Sequence, residues 1–460
     1  MLAEGIMLSS LRNFFSTGRT YDIAFRKAQL RSLAQALVHD SNAMVDALRA
    51  DLGKSAEESW LTEIGFLQHE IAFVLKNLDR WVKGTRVQTP IFLHPGRSQI
   101  IPQPRGISLI LSPWNYPFQL SLSPLIASIA AGNVAVIKPS EFSPACSQWL
   151  AKRLPQILAQ DSIAVVEGGV RETTELLTQT FDFIFFTGSS QTAVKVAHQA
   201  AEHLTPMVLE LGGKSPAVVV RCDHIETAAR RLAFAKFLNA GQTCVAPDYV
   251  IVEKSLRDPL IAALKKSISA MYGPENAPQG MARIVNEKHF QRLEQTLGHG
   301  ENIVYGGARQ RDALILSPTL VEIEPNHPLM SEEIFGPILP IIVVEDRISA
   351  EEIVRRIAEK PAPLAAYLFS DAPKDADTFR QLRCGGFVLN DALMHLTNIA
   401  LPFGGVGLSG YGQSHGYAGF QAFSHMRSEL YRSPNRHLDF DLKYPPYTER
   451  AMKWLKWLFR

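Results

Sequence analysis

The sequence predicts an α/β protein built as two doubly wound lobes, and three observations carry this. From Gly106 onward, short runs rich in β-branched residues alternate with longer segments of helical spacing, the pattern of a parallel sheet wrapped by crossover helices. A second series of the same kind begins at Ala217. Between the two, Gly212 and Gly213 interrupt a pair of apolar runs and mark a boundary near residues 211–215. A chain of 460 residues also has material for about three domains.

In the first series the expected strands are Ile107–Leu111 and residues 134–137, 163–166, 181–186 and 207–211. The helices between them are expected at residues 118–131, 144–158, 172–178 and 191–203. Gly132 directly follows the first of these, placed to stop it. The second series runs through a strand at 217–220, a helix at 226–238, a strand at 249–252 and a helix at 256–271. Glu210 and Cys244 then fall on the cleft between lobes, where substrates are commonly held.

Composition narrows the function classes. Basic and acidic residues nearly cancel, 47 against 45, and no arginine-rich or aromatic-interleaved block exists, so no nucleic-acid partner is expected. Cys146, Cys222, Cys244 and Cys384 lie far apart and form no C-x-x-C pair, which argues against a disulfide framework or structural zinc and fits a reducing cytoplasm. The thirteen histidines form no ligand pattern, and no metal is expected. Residues 1–20 carry Arg12 and Arg19 without a continuous apolar stretch, so they do not read as a secretory signal. The longest apolar stretches, such as 125–137, are broken by polar residues or glycine and are too short to span a bilayer.

The most informative segment is Asn239-Ala-Gly-Gln-Thr-Cys244-Val-Ala-Pro-Asp248. It presents one thiol among small and turn-forming residues, surroundings that suit an accessible nucleophile; a cysteine acting as a small core hydrophobe is the competing reading. Three further stretches accompany it: Pro113-Trp114-Asn115, Leu209-Glu210-Leu211-Gly212-Gly213-Lys214-Ser215-Pro216, and Glu332-Glu333-Ile334-Phe335-Gly336-Pro337. Together, in this order and spacing, they resemble the aldehyde dehydrogenase superfamily. The likeness extends from Asp51-Leu-Gly-Lys54 through Phe403-Gly-Gly-Val-Gly-Leu-Ser-Gly410 to Phe423-Ser-His-Met-Arg-Ser428, most of the chain. Tyr116-Pro117 after the asparagine, Ala246-Pro247-Asp248-Tyr249 after the cysteine, and a short amino terminus are similar to the class 3 branch, which includes fatty and aromatic aldehyde dehydrogenases.

The resemblance implies two doubly wound α/β lobes with a small β oligomerisation arm. Residues 1–80 and 104–211 would form an NAD(P)-binding Rossmann-like domain, and 212–398 a catalytic domain. Residues 81–103 and 399–440 would form the arm of a homodimer, and 441–460 an amphipathic tail. The implied reaction is NAD(P)-dependent oxidation of a medium- or long-chain aliphatic or an aromatic aldehyde to the acid, through a cysteine thiohemiacetal and thioester. Cys244 would be the nucleophile, since a thiolate converts a carbonyl to a tetrahedral adduct able to expel hydride. Asn115 would join the Cys244 backbone N–H in holding the oxyanion. Glu210 would activate the water that releases the acid, its partial burial raising its pKa, so a free acid and not a coenzyme A ester is the expected product.

On the cofactor side the resemblance points to Trp114, Lys138, Ser140, Glu141, Gly188, Ser189, Gly212, Glu333 and Phe335. Lys138 and Glu141 would sit at the adenosine ribose, a carboxylate there favouring NAD slightly over NADP. Glu333 would hold the nicotinamide ribose with Phe335 flanking the ring. One departure stands out: Ala193 occupies a position where such enzymes usually carry a second phosphate-facing glycine, so its methyl is expected to alter pyrophosphate seating. The literal G-x-G-x-x-G at Gly405-Val-Gly407-Leu-Ser-Gly410 does not follow a strand within a βαβ unit, so it is not read as a dinucleotide site. Rival readings are a cysteine thioesterase or acyltransferase, against which Lys138, Glu141, Glu333 and Phe335 count, and a catalytically silent binding protein on the same fold.

At the carboxy-terminal end, Arg450, Lys453, Lys456 and Arg460 recur every three or four residues beside Met452, Trp454, Leu455, Trp457, Leu458 and Phe459. Such a helix suits either peripheral contact with a bilayer or packing on the protein, near the substrate entrance or a partner subunit. The expected location is cytoplasmic, with this peripheral membrane contact as an addition.

Overall fold

The computed structural model describes residues 2–298, 302–439 and 441–458. Helices Leu2–Ser16, Ile23–His39, Ser41–Leu52 and Gly65–Trp81 lead into the arm strands Thr85–Val87 (β1) and Gly96–Pro104 (β2). The first lobe then lays down Ile107–Leu111 (β3), Val134–Lys138 (β4), Ile163–Val165 (β5), Phe183–Thr187 (β6) and Met207–Glu210 (β7). The second contributes Pro216–Val219 (β8), Tyr249–Glu253 (β9), Asn302–Tyr305 (β10), the hairpin Arg309–Gln310 (β11) and Ile315–Leu316 (β12), Thr319–Glu322 (β13), Ile338–Val344 (β14), Ala365–Phe369 (β15) and Gly386–Leu389 (β16). Gly410–Tyr411 (β17) and Ser424–Arg432 (β18) follow.

These strands form a six-stranded sheet ordered β17-β7-β6-β3-β4-β5, a seven-stranded sheet ordered β10-β13-β14-β9-β8-β15-β16, and a three-stranded antiparallel arm ordered β1-β2-β18. In the two large sheets every pairing is parallel except those of β17 and β10. This is the aldehyde dehydrogenase-like arrangement of two doubly wound lobes and a small arm. Parallel strands buried on both faces explain the continuous apolar runs in the sequence. In the first sheet Ile110, Ile137 and Phe185 pack with the helices Ile23–His39, Gly65–Trp81 and Gln119–Ala131. Their neighbours Leu109, Leu111, Val136 and Phe186 face the opposite layer.

Most expected elements recur with ends shifted by one or two residues. Helix Gln119–Ala131 stops at Gly132, whose φ of 93° lets its N–H return to the Ser128 and Ile129 carbonyls. One difference is topological. β17 lies in the stretch expected to belong to the arm, yet it pairs antiparallel with β7, Gly410 opposite Glu210 and Tyr411 opposite Leu209. The glycines of this stretch permit that approach: a Cβ at Gly410 would stand 2.0 Å from the Leu209 carbonyl oxygen, and one at Gly405 would stand 1.9 Å from that of Ser409. Backbone contact, and no phosphate, accounts for the glycine spacing there.

Candidate active site

Strand order places the switch point of the first sheet between β3 and β6. Ligands of open α/β sheets bind beyond the carboxyl ends of the strands at such a point. The segments leaving those ends carry the expected cofactor residues: Trp114 after β3, Lys138, Ser140 and Glu141 at the end of β4, and Gly188 and Ser189 after β6. Ser189 caps helix Ser190–Glu202 by accepting from the Thr192 N–H, and a helix start of this kind favours a phosphate. Lys138, buried, donates to the Pro139 carbonyl at 2.8 Å and lies 3.8 Å from the half-exposed Glu141 carboxylate. Ala193 corrects an expectation: it is buried in the apolar layer between its helix and the sheet, so its methyl fills core space instead of crowding a phosphate.

The second lobe supplies the facing wall. Glu333 reaches back to the backbone of Gly212 and Gly213, accepting from the Gly213 N–H; a Cβ at Gly212 would stand 2.0 Å from a Glu333 carboxylate oxygen. Phe335, at a φ of 49°, presents its ring edge-on to Trp114 with centroids 5.5 Å apart. Trp114 also touches His289, at 5.4 Å between centroids. His289 was not singled out in the sequence; nothing in its surroundings there marks it.

Cys244 follows a turn that only a special backbone can make: Asn239, Ala240 and Gly241 all have positive φ, 53°, 54° and 73°. Gln242 locks this turn, donating to the Asn239 carbonyl at 3.0 Å and accepting from the Val285 N–H at 3.0 Å. The thiol opens onto a cavity of about 1170 Å³, its solvent-open part included, whose wall also carries Glu210, Thr187 and Ser414 and is otherwise largely apolar and aromatic. Burial first, then the nearby Glu333 and Glu210 carboxylates, push the thiol up to about 12. Glu210 stands on the sheet face opposite Leu209 and Leu211, both of which pack in the core. Its burial pushes the carboxyl up to about 8, partly offset by a hydrogen bond from Ser414. One oxygen, Oε2, and the Thr187 hydroxyl on the same wall are buried without a partner. Glu333 is likewise raised to about 8, by burial and then by Asp248.

Asn115 is not on the cavity wall but directly behind it. Its side-chain amide donates to the Gln242 carbonyl at 3.0 Å, which leaves a second N–H of the same amide group. Tyr116 does line the cavity, and its hydroxyl meets Thr243 Oγ1 at 2.5 Å. Cys146 and Cys222 are buried, and neither they nor Cys384 is on this cavity wall.

A switch point of an open α/β sheet facing a half-buried thiol and a buried carboxyl is the arrangement an oxidoreductase of this fold would use. Residues 8–428 match the aldehyde dehydrogenase family; the chain belongs to that family and is an NAD(P)-dependent aldehyde dehydrogenase. It is 43% identical over 452 residues to 4,4'-diaponeurosporen-aldehyde dehydrogenase of Staphylococcus aureus (strain NCTC 8325 / PS 47), covering 97% of each chain. It is 43% identical to aldehyde dehydrogenase family 3 member B1 of Homo sapiens, covering 98% of this chain and 96% of that one. A solved structure described as the substrate bound state of Staphylococcus aureus AldH superposes with a TM-score of 0.95 at 41% identity, covering 100% of both chains. An indole-3-acetaldehyde dehydrogenase complexed with NAD+ shares the fold, with a TM-score of 0.84 at 24% identity over 93% of this chain and 88% of that one.

Proposed function

We propose that the protein oxidises medium- or long-chain aliphatic or aromatic aldehydes to free acids, with NAD as the preferred cofactor. The observation that carries this reading is the shared cavity: Cys244 and Glu210 stand on one wall, and Phe66, Phe234, Phe403 and Leu120 make much of the rest. An apolar chain or ring buried there is stabilised by roughly 25 cal/mol per Å² of surface removed from water. The relative named for 4,4'-diaponeurosporen-aldehyde supports a large apolar substrate.

In the first half-reaction Cys244 Sγ bonds to the aldehyde carbon as its proton passes to water in the solvent-open part of the cavity. The new oxyanion is held by the Cys244 backbone N–H and the free N–H of the Asn115 side chain. A nicotinamide, when bound, supplies the hydride acceptor. In the second, Glu210 takes a proton from water as the water attacks the thioester, and the acid leaves with Cys244 restored. The unpartnered Oε2 is the oxygen that can receive that proton. Glu141 beside Lys138 supports NAD, because a carboxylate accepts from a free 2′-hydroxyl and repels a 2′-phosphate.

The same reading includes a homodimer through the arm, whose outer strand β18 leaves Leu430 and Tyr431 exposed. It also includes peripheral membrane contact through the tail. There, helix Glu449–Leu458 buries Ala451 but leaves Trp454 and Trp457 45% and 62% exposed beside Lys453 and Lys456. Arg460 and Phe459, part of the stripe expected from the sequence, lie outside the described residues. No described helix is long and apolar enough to cross a membrane.

The test is formation of NADH and NADPH over a panel from short to long aliphatic and aromatic aldehydes, with Cys244→Ala alongside. Rising kcat/KM with apolar size, NADH in excess of NADPH, and no turnover by the alanine variant are expected. A preference for short polar aldehydes, or turnover without the thiol, would overturn the reading.

A further inference from the structure

Behind the Asn115 loop lies a fully buried ion pair that the mechanism above does not use. Lys54, in the link between helices Ser41–Leu52 and Ala56–Ser59, places its ammonium 2.7 Å from Glu63 Oε1, and both side chains are wholly inaccessible. Glu63 comes from a π-helical turn, Trp60–Ile64, an uncommon backbone form often found at functional sites. Its other oxygen, Oε2, accepts from the Phe118 and Gln119 N–H groups at 2.8 and 3.2 Å, where helix Gln119–Ala131 begins. The carboxylate is thereby engaged through both oxygens.

What Lys54 does with its remaining donors is specific. It donates to the Asn115 backbone carbonyl at 3.1 Å and stands over the Tyr116 ring at 4.1 Å from the centroid, a cation–π distance. Both residues reach the nucleophile segment: Asn115 Nδ2 donates to the Gln242 carbonyl at 3.0 Å, and the Tyr116 hydroxyl meets Thr243 Oγ1 at 2.5 Å, while Glu58 Oε1 accepts from the Asn239 N–H at 2.9 Å. The Asn115 carbonyl takes a second bond, 2.8 Å, from Asn239 Nδ2 in the strained turn before Cys244. One buried cation therefore grips two of the tethers between the first lobe and the thiol segment, those made by Asn115 and Tyr116.

A buried ion pair is weak evidence of stabilisation, because desolvating two charges offsets most of their attraction. Its geometry is the better guide. We infer that Lys54 is a positioning residue for the oxyanion side of the reaction, holding the Asn115–Tyr116 peptide so that the free Asn115 N–H and the Cys244 backbone N–H converge on one point. This rests on Asn115 being an oxyanion donor. A donor displaced by even 1 Å loses on the order of a hundredfold in rate, so the effect belongs in the hydride-forming step and not in substrate or cofactor affinity.

The experiment measures the pre-steady-state burst of reduced cofactor in the full-length enzyme for Lys54→Met, Asn115→Ala and the two combined. Lys54→Met is expected to slow the burst on the order of ten- to a hundredfold, with KM for aldehyde and cofactor within about twofold of the parent. In the Asn115→Ala background the same change should cost less than about twofold, since residues acting through one group are not additive. An unchanged burst in Lys54→Met overturns the inference and leaves Asn115 as donor. Full additivity also overturns it, placing Lys54 outside the Asn115 pathway. An unchanged burst in Asn115→Ala removes the oxyanion reading and the inference with it. Should Lys54→Met leave Glu63 uncompensated and unfold, Lys54→Met with Glu63→Gln keeps the buried charge balanced. A folded, slow double variant supports the inference, and one that is fast or does not fold overturns it.

Discussion

Ser414 Oγ shares its single O–H between Glu210 Oε1 at 3.0 Å and the Phe403 carbonyl at 3.3 Å, so a residue beyond the second lobe sets the orientation of a carboxyl in the first. The other oxygen is buried without a partner. That arrangement ties the release of product to one ionisation.

Glu210→Gln is expected to leave the burst of reduced cofactor intact at about one equivalent per site while steady-state turnover falls on the order of a hundredfold or more. In the parent enzyme, turnover limited by this step rises as pH passes through about 8, where the buried carboxyl loses its proton and becomes a base. The glutamine variant should lack that rise. Stopped-flow traces and a pH–rate profile from 6 to 9 decide it; a variant with parental turnover would remove Glu210 from hydrolysis.

Glu70 makes a stability prediction independent of catalysis. It is fully buried on helix Gly65–Trp81, and burial raises its carboxyl from 4.5 to about 8, with a hydrogen bond donated by Ser123 offsetting part. Between these values the folded chain holds a proton that the unfolded chain has lost, so folding stability falls as pH rises, by at most about 1.4 kcal/mol per pH unit. Glu70→Gln should flatten this slope. Denaturation midpoints at pH 5 and pH 8 measure it, and parallel profiles for the two proteins would refute the assignment.

Removing residues 447–460 is expected to reduce sedimentation with anionic vesicles severalfold and to leave turnover of a soluble short-chain aldehyde unchanged. The exposed Trp454 and Trp457 would enter the interface while Lys453 and Lys456 meet lipid phosphates. No described residue of the tail lines the cavity, which is why catalysis on short substrates should survive. Equal vesicle binding by the truncated protein would leave the tail a packing element.

The parts of the site that were legible in the sequence share a physical cause. Cys244 and Glu210 sit among glycines and small residues because backbone must pass close to them: a Cβ at Gly241 would stand 2.3 Å from the Gly336 carbonyl oxygen, and one at Gly212 would meet Glu333. Such restrictions leave a local signature. Glu63, Ser414 and His415 leave none, and Lys54 lies in a stretch shared with the family but shows nothing there of its role. Glu63 points inward through a π turn, which breaks the 3.6-residue period by which a buried face is recognised. His415, stacked on Phe403 at the cavity wall, has a φ of 68° without being glycine. The short β17 was hidden for a similar reason, since its pairing is set by glycines that otherwise read as loop.

β17 borders β7 with Glu210 directly opposite Gly410, two strands separated by the whole second lobe in the chain. A growing polypeptide emerging from the ribosome therefore displays its thiol long before the segment that steadies the carboxyl has been made. The carboxyl that releases the acid therefore takes its final setting only when this late stretch closes along the edge of β7.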